Sequence, residues 1–263
     1  MVLNKIWIKI KKLFSFSLIG FIEGHRYLSK NQIAIIRSQV GKNAEETVIK
    51  FECEFSKLVG LGDALSFASG RMAFYAFMKS MDIGEGDEVI LCGYTCSVMP
   101  DAVLRLGAKP VYSDVDVSTF GSSPNSIKQC LSSKTKLVVA QHSFGIPCEI
   151  DKIQKICSAN GVTLLEDCAL ALGSKLNNRK VGTFGDAAIF SSDHSKPINT
   201  IIGGFIYSED KEIMEKISFI QLNSSELSLK KQKAIWSQFI IERCLAQPYR
   251  YGLLNFINSL NAF

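Results

Sequence analysis

The chain has 263 residues, enough for one large domain or for one and a fraction of a second. Hydrophobic residues make up 47% and charged residues 21%, the composition of a globular chain with a sizeable core, which excludes wholesale disorder. The formal net charge is +5, with basic residues gathered at Lys5, Lys9, Lys11 and Lys12 and again at Lys230, Lys231 and Lys233. Such runs read as solvated faces, with weak contact to a membrane surface through the N-terminal basic segment, or to an anionic ligand, as the other reading. No DNA- or RNA-binding motif is present, so no nucleic-acid partner is expected.

The first forty residues form an apolar and basic lead-in. Lys9–Lys12 followed by Leu13–Ile22 has the charge and hydropathy order of a signal peptide. The apolar run is too short to span a bilayer, and Glu23, His25 and Arg26 follow where a small-residue cleavage pair would stand. A packed or membrane-surface helix is predicted there instead. Residues 43–59 predict a helix, with Val48, Phe51, Cys53, Phe55 and Leu58 at near-helical spacing. Ser69–Met81 predicts a second, opening at Ser-Gly, with Met72, Ala73, Ala76 and Phe77 on its apolar face. After the turn Gly84–Asp87, the run Glu88–Leu91 reads as a buried strand.

The alternation then repeats. Helices are predicted at Ser97–Leu106, closed by Gly107, at Ser123–Leu131, and at Ile150–Asn160, closed by Gly161. Strands are predicted at Pro110–Val115, Leu137–Gln141, Thr163–Glu166, Ala187–Ser191 and Gly204–Tyr207. Strands alternating with helices imply an α/β fold, a mostly parallel sheet sandwiched by helices. Ligands of such sheets sit beyond the carboxyl ends of the strands. That directs attention to Gly93–Cys96, His142, Asp167 and Ser191. Beyond residue 210 the pattern turns helical, with Ile213, Ile217 and Ile220 on one face, then Ala234–Leu245, ended by Pro248.

The eight cysteines contain no C-x-x-C pair and several lie inside apolar runs, which suits reduced, buried thiols in a cytoplasm better than a disulfide framework. Three scattered histidines give no ligand spacing, so no metal is expected.

Three features could carry chemistry. Glu166-Asp167 ends an apolar strand, where a buried acid is costly without a partner. It reads as a loop acid or helix cap, or as a carboxylate held opposite a buried cation. Lys196 lies between a strand and Gly203-Gly204. Most loop lysines are simply solvated, but an amine here can form a Schiff base if its pKa is lowered. Ser69-Gly70-Arg71 opens a helix, where free backbone N–H groups either meet an ordinary cap or bind an anion. Ser191 and Ser195 could add hydroxyls to such an anion.

Together these residues match a known pattern. From about Leu65 to Ser208 the chain resembles the DegT/StrS family of sugar-nucleotide aminotransferases, which are fold-type I enzymes dependent on pyridoxal 5'-phosphate (PLP). The matching stretches are Ser69–Ala73, Gly86–Ile90, Gly93–Cys96, Leu106–Pro110, Gln141–Pro147, Leu165–Ala169, Val181–Asp186 and Phe190–Gly204. The resemblance implies that Lys196 forms the Schiff base with PLP and then shuttles protons. It implies that Asp167 pairs with the pyridinium nitrogen, that Gly70 and Arg71 offer backbone N–H groups to the PLP phosphate, and that Ser191 adds a hydroxyl. It implies residues 1–59 as a helical lead-in, 60–210 as the PLP-binding large domain, and 211–263 as a helical segment in which the family's small C-terminal domain is cut short.

The activity implied is transfer of an amino group from glutamate to a nucleotide-linked keto-sugar, by a cytoplasmic homodimer serving polysaccharide or antibiotic-sugar synthesis. Two positions depart from the pattern: Leu170 stands where Gln or His is usual, and Cys96 where an aromatic ring is usual. Three other readings accompany the first. One is a family dehydratase, in which histidine replaces the Schiff-base lysine; Lys196 argues against it, although His194 lies close by in sequence. Another is a non-catalytic or truncated member that binds PLP or a partner without turnover. The last is a structural protein at a lipid surface.

Overall fold

A computed structural model describes residues 30–39, 44–193 and 195–245. The N-terminal basic and apolar segment, His194 and Pro248 lie outside the described residues. Two compact units divide the chain. One includes most of helix α1 (Lys30–Gln39) together with α8 (Leu229–Leu245); the other runs from Gln39 to Ser224. Lys230, Lys231 and Lys233 are exposed on α8. No helix among the described residues is long and apolar enough to cross a membrane.

The larger unit holds the sheet. In chain order its elements are α2 (Ala44–Val59), β1 (Asp63–Phe67), α3 (Gly70–Ser80), β2 (Glu88–Cys92), α4 (Val98–Arg105), β3 (Lys109–Ser113), α5 (Pro124–Cys130) and β4 (Thr135–Gln141). A single 3-10 turn (Ser143–Gly145) follows. Then come α6 (Ile150–Asn160), β5 (Thr163–Asp167), the short pair β6 (Lys175–Leu176) and β7 (Arg179–Lys180), β8 (Ala187–Ser191), β9 (Gly204–Ser208) and α7 (Lys211–Leu222). The seven-stranded sheet has the order β1-β9-β8-β5-β4-β2-β3. Only β9 runs against its neighbours.

The strands read as unbroken apolar runs because both faces are covered. Successive side chains point to opposite faces. Val89 and Leu91 of β2, Leu137 and Val139 of β4, and Leu165 of β5 enter one core with α3, α4 and α7. Ile90, Val138, Ala140 and Leu164 enter the other with α5 and α6. The mostly parallel, doubly covered sheet expected from the alternation is the observed one. Removing a side chain such as the fully buried Phe77 forfeits about 3–5 kcal/mol in such a core.

Several local expectations are corrected. In α2 only the Phe51, Phe55, Val59 stripe packs on the sheet, while Val48, Cys53 and Leu58 are exposed. This i, i+4, i+8 row is the one helix face that meets β1, β9 and β8. The strand expected at Pro110–Val115 stops at Ser113, and Val115 pairs instead with Ser122 in an isolated bridge. Strand β1 carries no periodic signal in the sequence, because Asp63 and Ser66 break its apolar run. It is an edge, and its Ser66 backbone is covered from outside: Glu52 Oε1 accepts from the amide at 2.6 Å, and Gln221 Nε2 donates to the carbonyl at 2.8 Å. The hairpin β6–β7 turns through Asn177 and Asn178, both at positive φ, a type of turn that Asn accepts. The seven cysteines from Cys53 to Cys168 are free; Cys92, Cys148, Cys157 and Cys168 are buried, whereas Cys53 and Cys96 are exposed.

One contact sets the position of the α3 N-terminus. Gly204 at the start of β9 lies directly against Gly70 and Ser69, and a Cβ there would overlap the Gly70 amide nitrogen. Gly204→Ala is therefore expected to cost at least about 1–3 kcal/mol, read as a fall in the denaturant midpoint at unchanged slope.

Candidate active site

The site is built where β2, β4, β5 and β8 end. Strand β5 finishes with two acids whose surroundings differ completely. Glu166 is wholly buried and accepts four hydrogen bonds. Its Oε1 takes the amides of Phe184 (2.6 Å) and Gly185 (2.8 Å); its Oε2 takes the Gly182 amide (2.8 Å) and His142 Nε2 (3.0 Å). The other ring nitrogen, Nδ1 of His142, accepts from the Cys148 amide at 3.1 Å. An amide can only donate, so the ring proton sits on Nε2 and is given to Glu166.

Asp167, the next residue, is 8% exposed. Among the described residues its carboxylate accepts one hydrogen bond, from the Ala169 amide to Oδ1 at 3.0 Å. Asp167 lines a cavity of about 350 Å³. Burial pushes the Asp167 carboxyl above its ordinary range, while the Ala169 amide and the charge of Lys196 pull it back. The cavity is lined by Asp167, His142, Lys196, Cys96, Leu170 and Tyr94 among others.

Lys196 is half-buried and reaches this cavity from a loop closed at its neck. The Ser192 amide donates to Gly203 O (2.9 Å), the Thr200 amide donates to Ser192 O (2.9 Å), and the Ser192 and Thr200 hydroxyls share a 2.6 Å bond. Gly203, at φ 152°, closes the neck, since a Cβ there would overlap Ser192 Oγ. Ile201 sits at φ 75°, an unusual conformation for a β-branched residue. Ser192 and Thr200 escaped the sequence reading, because short hydroxyl side chains carry no periodic signal.

The sequence-derived residues fall into two groups. Lys196 and Asp167 line one cavity, together with His142 and Cys96. Gly70 and Ser191 lie side by side: a Cβ on Gly70 would be 3.5 Å from Ser191 Cβ. Neither belongs to the cavity lining, nor does Arg71, whose guanidinium is 3.7 Å from the Asp101 carboxylate. In the first turn of α3, Ser69 Oγ accepts the Met72 amide and Ser69 O accepts the Ala73 amide. The amides of Gly70 and Arg71 have no intrahelical acceptor.

Residues 27–250 match the DegT/DnrJ/EryC1/StrS aminotransferase family. The chain belongs to this family. The GDP-perosamine synthase of Vibrio cholerae is 34% identical over 167 residues, covering 64% of this chain and 46% of that one. An aminotransferase from Psychrobacter cryohalolentis superposes with a TM-score of 0.70 at 27% identity, covering 77% of this chain and 55% of that one. The E. coli GDP-4-keto-6-deoxy-D-mannose-3-dehydratase with bound hydrated PLP superposes with a TM-score of 0.66 at 28% identity, covering 71% and 50%. The chain spans about half the length of the curated relatives it matches. The family fold, a mostly parallel sheet between helices, is the one seen here.

His142, Glu166 and Cys168 also bring three ligand-type atoms within 4.8 Å of one another. His142 and Glu166 are hydrogen-bonded to each other. Glu166 already accepts four bonds, and burial raises the Cys168 thiol well above its usual range, which keeps it protonated.

The raised Asp167 carboxyl has a consequence for stability. Between its unfolded and folded pKa values the native state binds more protons than the unfolded chain, so stability falls as pH rises through that window. Asp167→Asn keeps an acceptor for the Ala169 amide and removes the charge. In the cofactor-free protein, denaturation from pH 4 to 8 is expected to show variant and parent equally stable at the acid end, with the variant increasingly ahead as pH rises.

Proposed function

We propose that this chain acts as a PLP-dependent aminotransferase that moves an amino group from glutamate to a nucleotide-linked keto-sugar. The observation that carries the reading is the accounting at Asp167. A buried carboxylate with one protein hydrogen bond faces a cavity it shares with a lysine amine. A protonated pyridine nitrogen is the donor such an oxygen lacks, so the residues present fit the cofactor. PLP supplies an electron sink for the carbanion formed next to the transferred nitrogen.

The chain's own groups have distinct tasks in this proposal. Asp167 holds the ring nitrogen protonated. Lys196 holds the cofactor's carbonyl carbon and afterwards moves the proton at the substrate carbon. The free first-turn amides of Gly70 and Arg71, with the Ser191 hydroxyl beside them, take the phosphate. Glu166, through His142, keeps the wall around Asp167 in place. In the same reading, residues 60–210 are the cofactor-binding large domain, 1–59 a lead-in and 211–263 a helical C-terminal segment. The working form is a cytoplasmic homodimer, a placement that the free thiols support.

The absorbance spectrum with added PLP, before and after glutamate, tests this. The expected result is a near-visible band that shifts on adding glutamate and a borohydride-trapped adduct on one lysine. Lys196→Ala is expected to abolish the trapping and to lower transamination by at least about 10²–10⁴-fold. Trapping unchanged in that variant would sink the Lys196 assignment. A band indifferent to glutamate would instead favour a member that binds PLP without turnover.

A further inference from the structure

Three aromatic side chains from three separate loops meet at the rim of the cavity. Tyr94 follows β2, Phe120 lies between β3 and α5, and Phe144 follows β4. Their exposures are 61%, 50% and 62%, far above what such rings usually show. The Tyr94 and Phe144 ring centroids are 6.0 Å apart and tilted, and those of Phe120 and Phe144 are 6.1 Å apart and edge-on. Two of the three are held at costly backbone angles, Phe144 at φ 55°, ψ 19° and Phe120 at φ 57°. A left-handed conformation is unfavourable for a bulky L-residue, and exposing a ring to water is unfavourable as well. Here both occur at the same two residues.

The cluster is also preorganised. Gln141 Nε2 donates to Tyr94 O (2.7 Å) and to Ser143 Oγ (2.8 Å), tying the Tyr94 loop to the Phe144 turn. The Phe120 loop is closed on itself, with Phe120 N donating to Asp116 O (2.8 Å) and Asp116 N to Gly121 O (2.9 Å). Tyr94 and Phe144 line the cavity of Lys196 and Asp167, so the aromatic surface continues that cavity outwards.

We propose that Tyr94, Phe120 and Phe144 form a stacking platform for the nucleobase of the substrate. This rests on the reading of the cavity as a cofactor and keto-sugar site. A volume of about 350 Å³ is at the low end for ligand pockets. With the cofactor ring and the reacting sugar inside, the base of a nucleotide-linked sugar has to lie outside. This cluster is an apolar surface that adjoins the cavity, and every nucleobase offers a planar face to such rings. The platform selects for a planar ring and leaves the reacting end to the cavity.

The test is equilibrium binding of uridine, guanosine and thymidine diphosphates to the PLP-loaded full chain, with inorganic pyrophosphate as the probe lacking a base. Phe144→Gly and Phe120→Gly remove a ring at backbone angles that glycine accepts, so these variants are expected to keep or raise the thermal midpoint. Phe144→Trp retains a stacking surface. At least one nucleoside diphosphate is expected to bind the parent. Phe144→Gly is expected to weaken it about 5- to 100-fold, Phe144→Trp to restore it, and pyrophosphate binding to stay unchanged. Nucleotide affinity equal in parent and glycine variants would overturn the proposal. So would a parent that loads PLP and binds no nucleotide, which leaves the aminotransferase reading standing. A glycine variant that only changes the sedimentation of the chain from dimer to monomer would overturn it too, assigning the rings to contact with a second copy. Base-dependent binding that is lost in Phe144→Gly, in a parent that takes up no PLP, would support the platform while the cofactor reading fails.

Discussion

A carboxylate can be taken out of water only where donors replace the water it leaves, and Glu166 shows how much of a fold that demand can organise. Its two oxygens gather the amides of Gly182, Phe184 and Gly185 and the ring of His142. Those donors come from the end of β4 and from the segment leading into β8. Their convergence ties the two strands that flank β5 to its end. His142 is secured further through the Cys148 amide, and its own amide donates to Asp167 O at 3.1 Å. The wall of the cavity is therefore a hydrogen-bonded lattice whose centre is a residue that never reaches the cavity.

Asp167 is the complement of that arrangement. The same type of group, one residue later, is left with a single protein donor and turned to the opening. The energetic cost of that burial falls on the protein itself. Lys196 approaches from the opposite direction on a loop whose neck is fastened by Ser192, Thr200 and Gly203. That fastening fixes where the loop brings its lysine to the cavity.

Much of this was legible in the linear chain. The spacing of apolar runs, Gly107 and Gly161 after their helices, and the change of pattern past residue 210 place most strands and helices to within a few residues. They also put His142 and Asp167 at strand ends, and so near any ligand. Less legible were β1, whose Asp63 and Ser66 are tolerated because side chains from α2 and α7 cover its backbone, and the face of α2, where only a stripe meets the sheet. The Ser192–Thr200 clasp was invisible for a related reason: hydroxyls eight residues apart acquire a partner only when the loop has closed.

The sequence by itself determined the class of fold, the order of its elements and the identity of the two groups, Lys196 and Asp167, that share the cavity. Periodicity and residue type are local properties, set by steric and solvation preferences that act over a turn of helix or a few residues of strand. Only the tertiary structure decided which of Glu166 and Asp167 is sealed and which is open, and which aromatic rings stand at the rim. Those outcomes depend on donors and surfaces brought from up to fifty residues away (Tyr94 to Gln141, Asp186 to Leu164), and no local preference can say which of two neighbouring acids they will reach.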